Sequence, residues 1–338
     1  MIASFFRCNK SVCLLNLVCL PVVFSTLHGQ GQTVRTQPQP IDSNYLYLAD
    51  PSVFYHQGTY YLYGTGARDG FPVYTSANLK EWTRANGGYA LKQGDAFGTA
   101  QFWAPQVFQA GSRFYMAYAA NEHLAIASGP APYGPFTQPV KEALDAPVKQ
   151  IDPFVFVDDD GKKYLYHVRL LNGNRIFVAE LNNDFSAIKP ETLRECINAA
   201  DGWENTAHSQ WPVAEGPSVL KHKNLYYLFY SANDFRNPDY AVGYAVSSSP
   251  LGPWKKYSGN PVLSRQLVKQ NGTGHGDFVQ DAQQNLVYVF HTHYSDSVVS
   301  PRKTALIRMK FETVAGSAAD QVVADPSSFY FVQPKRKL

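Results

Sequence analysis

Cysteine is almost absent from the body of this 338-residue chain. Cys8, Cys13 and Cys19 crowd into its first 19 residues, and Cys196 alone follows. A lone cysteine has no intramolecular partner, so stability must come from packing and not from disulfides. Charge is also sparse, with Asp, Glu, Lys and Arg at 17% of residues and a formal net charge of +3. No basic face stands out, which argues against nucleic acid as a partner, and the closing Lys335-Arg336-Lys337 reads as a solvated tail. No stretch holds a helical apolar period for long. No glycine-rich phosphate loop follows a strand and opens a helix, and no serine nucleophile elbow is present.

The one marked apolar run lies at the start. Arg7 and Lys10 precede an apolar core from Val12 to Phe24, too short to anchor in a bilayer, and Ser25 to Gly31 offers small residues for cleavage without a clean A-x-A site. Residues 1–31 read as a secretory signal peptide, which places the mature protein outside the cell or in the periplasm. Its removal leaves 28 basic against 27 acidic residues. Lipid anchoring through Cys19 is the competing reading, in a poor sequence context (Leu17-Val18-Cys19). Residues 32–44 are polar, carry two prolines and read as a linker.

What the chain has in abundance is aromatic side chains and turn formers: 22 Tyr, 21 Phe, 24 Gly and 22 Pro. That mixture favours strands joined by tight turns. Five apolar strand starts recur, anchored at Val53, Val107, Val155, Val219 and Val279, at spacings of 54, 48, 64 and 60 residues. Each is followed by a turn, an aromatic second strand and a third strand. In the first unit these are Tyr60-Tyr61-Leu62-Tyr63 and Pro72-Val73-Tyr74; in the fourth, Tyr226 to Tyr230 and Val242 to Val246. A repeat of about 50 residues built from three or four short antiparallel strands is the mark of a propeller blade. Residues 45–338 are therefore expected to form an all-β, five-bladed β-propeller with no room for a second domain.

In a propeller the starts of the innermost strands surround a central channel. Counting back from the anchors, Asp50 and Asp152 lie three residues before Val53 and Val155, and Glu215 and His275 lie four before Val219 and Val279; Trp103 and Ala104 hold these places in the second unit. Three carboxylates, an imidazole and an indole are thereby aimed at one volume. Like charges at close quarters repel, so such a cluster points to chemistry. Two carboxylates across a sugar are what glycosidic cleavage needs, one to protonate the leaving oxygen and one to activate water or attack carbon. Glu215, on a longer arm in a neutral Gly-Pro context, suits a protonated acid; Asp50, beside the rigid Pro51, suits a base holding one water.

These residues carry a resemblance. Ala49-Asp50-Pro51, Trp103-Ala104-Pro105, Ile151-Asp152-Pro153, Glu215-Gly216-Pro217 and Gly272-Thr273-Gly274-His275, in this order and one per unit, resemble glycoside hydrolase family 43 across nearly all of residues 45–312. The resemblance implies an inverting glycosidase with Asp50 as general base, Asp152 as pKa modulator and positioner, and Glu215 as general acid. Inversion in turn implies a carboxyl separation of roughly 6.5–9.5 Å. Trp103 resembles a sugar-stacking position, with blade packing as the alternative. Phe71, after Asp69-Gly70, is a candidate wall of the sugar pocket, with the core as its alternative. Arg302 resembles an arginine that reaches the sugar or the modulator carboxylate, against a plain surface arginine. His275 resembles the histidine near a calcium or water cluster in the central channel, so calcium is the implied ion, against a structural hydrogen-bonding role.

Other acid and histidine clusters fit simpler readings. Asp158-Asp159-Asp160-Gly161 lacks the downstream Glu of a calcium loop, and an Asp-Gly hairpin turn accounts for it. His291 and His293 would share a strand face, so a zinc pair is conceivable there. The long insert from Pro190 to Pro212, carrying Trp203 and Trp211, is expected to close a pocket and so to favour exo action. The expected activity is release of terminal α-L-arabinofuranosyl residues from arabinan, arabinoxylan or related chains. A β-D-xylosidase, a galactofuranosidase or an endo-arabinanase on the same scaffold are the rivals. A silent glycan-binding propeller would lack one of the three acids, and none is lacking here.

Overall fold

The computed structural model describes residues 41–200 and 202–336. The expected signal peptide, Cys19 and most of the expected linker lie outside the described residues. Among the described residues, twenty strands form five sheets. The first holds β1 (Ala49–His56), β2 (Thr59–Thr65), β3 (Gly70–Ser76) and β4 (Glu81–Lys92). The second is β5 (Trp103–Ala110), β6 (Arg113–Ala120) and β7 (His123–Gly129), and the third β8 (Gln150–Val157), β9 (Lys163–Leu170), β10 (Asn174–Glu180) and β11 (Arg194–Ile197). The fourth is β12 (Ala214–His222), β13 (Leu225–Ala232), β14 (Ala241–Ser247) and β15 (Lys255–Lys256). The fifth is β16 (Gly274–Gln280), β17 (Leu286–Thr292), β18 (Lys303–Glu312) and β19 (Gln321–Phe331), and the short β20 (Gln333–Pro334) returns to the first sheet. Apart from β20, neighbours within each blade are antiparallel, and the five expected anchors all sit on innermost strands. Each innermost strand packs on the next, and β16 comes back to β1, so the ring is closed as the repeat predicts.

Local chemistry explains the hairpins. Gln57-Gly58, Asn121-Glu122 and Lys223-Asn224 join paired strands with both central residues at positive φ, the mirror-image turn whose twist matches that of the strands. The Asp158–Gly161 segment is also a hairpin turn, Asp158 N–H bonding Lys162 C=O at 2.9 Å. Its side chain does more than turn the chain: it is buried and accepts from Lys221 Nζ (2.7 Å) and the Tyr226 hydroxyl of the next blade.

Between the strands lie five apolar clusters, one at each blade interface. This is where Phe71 belongs. It is 0% exposed and packs edge-on against Phe102 and Tyr118 between the first two blades, so it is core and not a wall of the sugar pocket. Gly70 to Val73 are all buried, so this end of β3 lies wholly within the core.

The ring closes through three short segments from opposite ends of the chain. Leu46 N–H bonds Val332 C=O, Val332 N–H bonds Thr304 C=O, and Thr304 N–H bonds Leu46 C=O, each at 3.0 Å. The Thr304 hydroxyl both accepts from Leu48 N–H (3.1 Å) and donates to Leu48 C=O (3.0 Å). β20 then runs parallel to β4, and Lys335 N–H bonds Trp82 C=O at 2.8 Å, so the basic tail is tied at its root while the side chains of Lys335 and Arg336 remain exposed. Thr304→Val keeps the shape but orphans two buried backbone groups. It should cost about 1–3 kcal/mol, read as a lower urea midpoint at unchanged m-value; an unchanged midpoint would show that these bonds do not hold the closure.

Candidate active site

All five innermost strands begin with the same irregularity. The register slips between Ala49 and Ser52, Trp103 and Gln106, Ile151 and Phe154, Glu215 and Ser218, and Gly274 and Gly276. At each slip one residue is left-handed: Asp50 (φ 48°), Ala104 (46°), Asp152 (55°), Gly216 (57°) and His275 (44°). A bulge re-aims the side chain it carries, and a left-handed non-glycine residue costs roughly 1–3 kcal/mol, strain of the kind that gathers at functional sites. Glu215, like Trp103, stands one residue before its bulge. His275 is at the bulge itself, so it matches Asp50 and Asp152 in position, not Glu215 as counting back to Val279 implies. Gly216 must be glycine for a second reason: a Cβ there would stand 2.7 Å from the His275 ring.

These residues converge on a cavity of about 350 Å³. Its lining includes Asp50, Asp152, Glu215, Trp103, His275 and Arg302, all expected at the mouth, and further Ile151, Asn174, Trp211, Val213 and the Asp234-Phe235-Arg236 loop. Trp103 faces the cavity and also packs on the cluster between blades two and three. The Pro190–Pro212 insert divides: Trp211 reaches the cavity, whereas Trp203 packs on Tyr230 and Gly243.

Each carboxyl group has a distinct environment. Arg302 donates to both oxygens of Asp50, at 2.9 and 3.4 Å, while its guanidinium rests 4.6 Å above the Phe235 ring. Asp50 N–H donates to His291 Nδ1 at 3.1 Å. Burial alone would raise the Asp50 carboxyl, but Arg302 and then the two imidazoles hold it well below the usual carboxylate range. Asp152 accepts from Gly216 N–H at 3.1 Å. Burial, with the charges of Glu215 and Asp50, pushes its carboxyl well up. Glu215 accepts from Asn174 Nδ2 (2.8 Å) and from the Tyr240 hydroxyl (3.0 Å). Burial still lifts it to about 7, against the pull of those donors.

The imidazoles are structural neighbours of this cluster. His275 Nδ1 lies 3.4 Å from Asp50 Oδ1 and 3.7 Å from Asp152 Oδ2, and the backbone N–H of His275 donates to Ser231 Oγ at 2.7 Å. Burial lowers its pKa, and that of His291 falls further. His291 and His293 do not act as a pair. His291 faces Asp50 and Arg302, with Tyr240 stacked on it at 5.6 Å, whereas His293 Nε2 meets Phe235 C=O at 2.8 Å. Among the described residues no group of three or more His, Cys, Asp or Glu side chains is placed to hold a metal ion. No helix among them is long and apolar enough to cross a membrane.

Sequence reasoning overlooked Asn174, Tyr240, Phe235 and the bonding role of His291. Two carried a readable signal: Asn174 is a polar residue opening a third strand, and Tyr240 directly precedes another.

An ionised carboxylate locked by an arginine and a second carboxyl held up near neutrality, both buried in one sugar-sized cavity, is acid–base glycosidase equipment. The comparisons agree. Residues 43–313 match the family described as Glycosyl hydrolases family 43. A solved structure named as an endo-1,4-β-xylanase from Bacteroides thetaiotaomicron is 41% identical, covers 87% of this chain and 99% of its own, and superposes with a TM-score of 0.80. The β-D-galactofuranosidase of Aspergillus niger is 24% identical, matching 78% of this chain and 80% of its own length. The arabinoxylan arabinofuranohydrolase of Bacillus subtilis is 26% identical over 73% of this chain and 57% of its own. The chain belongs to glycosyl hydrolase family 43 and is an inverting glycoside hydrolase on a five-bladed β-propeller.

Proposed function

We propose that the protein is an exported exo-glycosidase that releases terminal α-L-arabinofuranosyl residues from plant polysaccharide side chains. The observation that carries this reading is the opposed protonation of Asp50 and Glu215 in one small cavity. Asp50, kept ionised by Arg302, takes a proton from water as the water attacks the anomeric carbon. Glu215 gives its proton to the departing glycosidic oxygen. Asp152, itself held protonated beside Glu215 and bonded to Gly216 N–H, positions that end of the site, while burial and the charge of Asp50 keep Glu215 protonated until the bond breaks. Inversion follows because water and leaving group occupy opposite faces of the sugar. His275 orients Asp50 and Asp152, and Trp103 offers its ring to the sugar.

Exo action is supported by size: about 350 Å³ lies near the lower end of ligand pockets, roughly 300–1,000 Å³, and suits one terminal sugar. A furanose is supported by the names of two relatives, a galactofuranosidase and an arabinofuranohydrolase. The apolar leader supports export. A second reading has its own support. A groove of about 640 Å³, lined by Tyr47, Arg68, Asp69, Gln101 and Pro301, adjoins the cavity and shares Trp103 and Arg302 with it. A polymer lying along it would be cut internally, as the name of the xylanase relative describes.

A nitrophenyl glycoside panel should show turnover of the α-L-arabinofuranoside above the β-D-xyloside and β-D-galactofuranoside, with the inverted anomer formed first by NMR. Internal shortening of linear arabinan or xylan with no aryl glycoside cleaved would favour the endo reading.

Glu215→Gln and Asp50→Asn should each lower kcat by about 10²–10⁴. The wild-type pH–rate profile should keep its acid limb below the usual carboxylate range and place its alkaline limb near 7. An alkaline limb that survives Glu215→Gln would remove Glu215 from the proton-donor role.

Stability gives a separate test. Folded Glu215 holds its proton to about 7 and the unfolded residue only to 4.5, so stability falls as pH rises through that window. Glu215→Gln should therefore raise Tm at pH 8 relative to wild type and gain less at pH 5. A variant equally or less stable at pH 8 would contradict the burial cost.

A further inference from the structure

The loop bearing Trp211 is seated directly on the strand that carries Asn174. Asn174 N–H bonds Pro212 C=O at 2.9 Å, and Asn174 forms a bridge with Val213. Gly173 makes this approach possible: its φ is 126°, and a Cβ there would stand 2.6 Å from the Pro212 oxygen. The side chains continue the connection. Trp211 Nε1 donates to Asn174 Oδ1 at 2.9 Å, and Asn174 Nδ2 donates to Glu215 Oε2 at 2.8 Å. The indole itself is 46% exposed at the cavity rim, while Asn174 is buried.

An amide can present either its oxygen or its NH2 to a neighbour. An indole N–H can only donate, so it claims the amide oxygen and turns the NH2 towards Glu215. With that N–H removed, the amide is free to rotate and offer its oxygen to a protonated Glu215. The two arrangements have opposite effects. A donating NH2 favours the carboxylate that remains after proton transfer, whereas an accepting oxygen favours the acid before it. Trp211 thus stands at the cavity rim and is linked to Glu215 through Asn174.

We propose that Trp211 and Asn174 are positioning residues that couple occupation of the leaving-group subsite by a sugar to the orientation of Glu215. A sugar ring stacked on the indole holds Trp211, Trp211 fixes the Asn174 amide, and the amide fixes the carboxyl group at the glycosidic oxygen. The relay rests on Glu215 being the proton donor, so its test has to separate the two claims.

The probes are α-1,5-arabinobiose, whose leaving sugar needs a proton, and 2,4-dinitrophenyl α-L-arabinofuranoside, whose leaving group does not. If the panel above returns xylose instead, the xylosyl counterparts are used. Trp211→Phe keeps an aromatic face and removes only the N–H. It should lower kcat on the disaccharide roughly ten- to a hundredfold with KM little changed, and lower it far less on the dinitrophenyl glycoside. The alkaline limb on the disaccharide should move to higher pH, because a donor to the carboxylate has been lost. Asn174→Ala should repeat both effects, and Trp211→Phe on top of it should add nothing further. A rise in KM alone, or equal losses on both probes with an unmoved alkaline limb, would reduce Trp211 to a binding platform and overturn the relay. Glu215→Gln serves as the reference. If it spares the dinitrophenyl substrate and abolishes disaccharide turnover while Trp211→Phe leaves both intact, the relay fails and the role of Glu215 stands. If Glu215→Gln leaves disaccharide turnover unchanged, the proton-donor reading fails and takes the relay with it.

Discussion

The charge of Asp50, in a cavity that otherwise favours neutral carboxyl groups, follows from where Arg302 is placed. Its guanidinium lies on Asp50, not between the carboxylates, and Phe235 beneath it keeps it there. Asp50 is thereby ionised in a buried site, where an unpaired charge would be expelled or neutralised. Asp152 and Glu215 lack a bonded cation, and each raises the cost of ionising the other, so protons do for them what the arginine does for Asp50. With Arg236 paired to Asp234, the placing of Arg302 on Asp50 alone sets that carboxylate apart from Asp152 and Glu215 as base from acid. The division needs no difference in the residues' intrinsic chemistry.

That placement depends on the ring. Arg302 and Asp50 stand 252 residues apart in sequence and meet because blade five closes on blade one. Closure is made by backbone bonds among Leu46, Thr304 and Val332, of which Leu46 lies a few residues from Asp50 and Thr304 a few from Arg302. The segment that completes the fold is also the one that sets the ionisation of the base. Damage to the closure should therefore reach the chemistry as well as the stability, since removing one partner of a buried pair typically costs about 3–5 kcal/mol.

The five bulges do the aiming. A regular inner strand would alternate its side chains between the two faces of its blade, so its first residues would pack on neighbouring blades. The left-handed residue at each strand start breaks that alternation once, at the mouth, and directs Asp50, Asp152 and His275 towards one volume. Below the mouth the alternation resumes and the blades pack through their apolar clusters. The same scaffold position holds a small neutral residue at Ala104 and Gly216, where the chain instead uses the residue before the bulge, Trp103 or Glu215.

Much of this was legible in the chain itself. The periodic strand starts, the aromatic second strands and the turn residues are local signals of period two, and they specify five blades because hydrophobic patterning and turn chemistry act over a few residues. The phase of Asp50, Asp152 and Glu215 within the repeat likewise marks a shared mouth. What the chain alone left open was every property that depends on distance between blades. Phe71 reads equally as wall or core until its ring is seen between Phe102 and Tyr118. Asn174, Tyr240 and His291 gain their significance only from partners on other strands, and nothing in their own neighbourhood names those partners. The tertiary structure decided which carboxyl group is ionised, because electric fields and desolvation act through space, and only closing the ring brings Arg302 to Asp50 and leaves Glu215 without it.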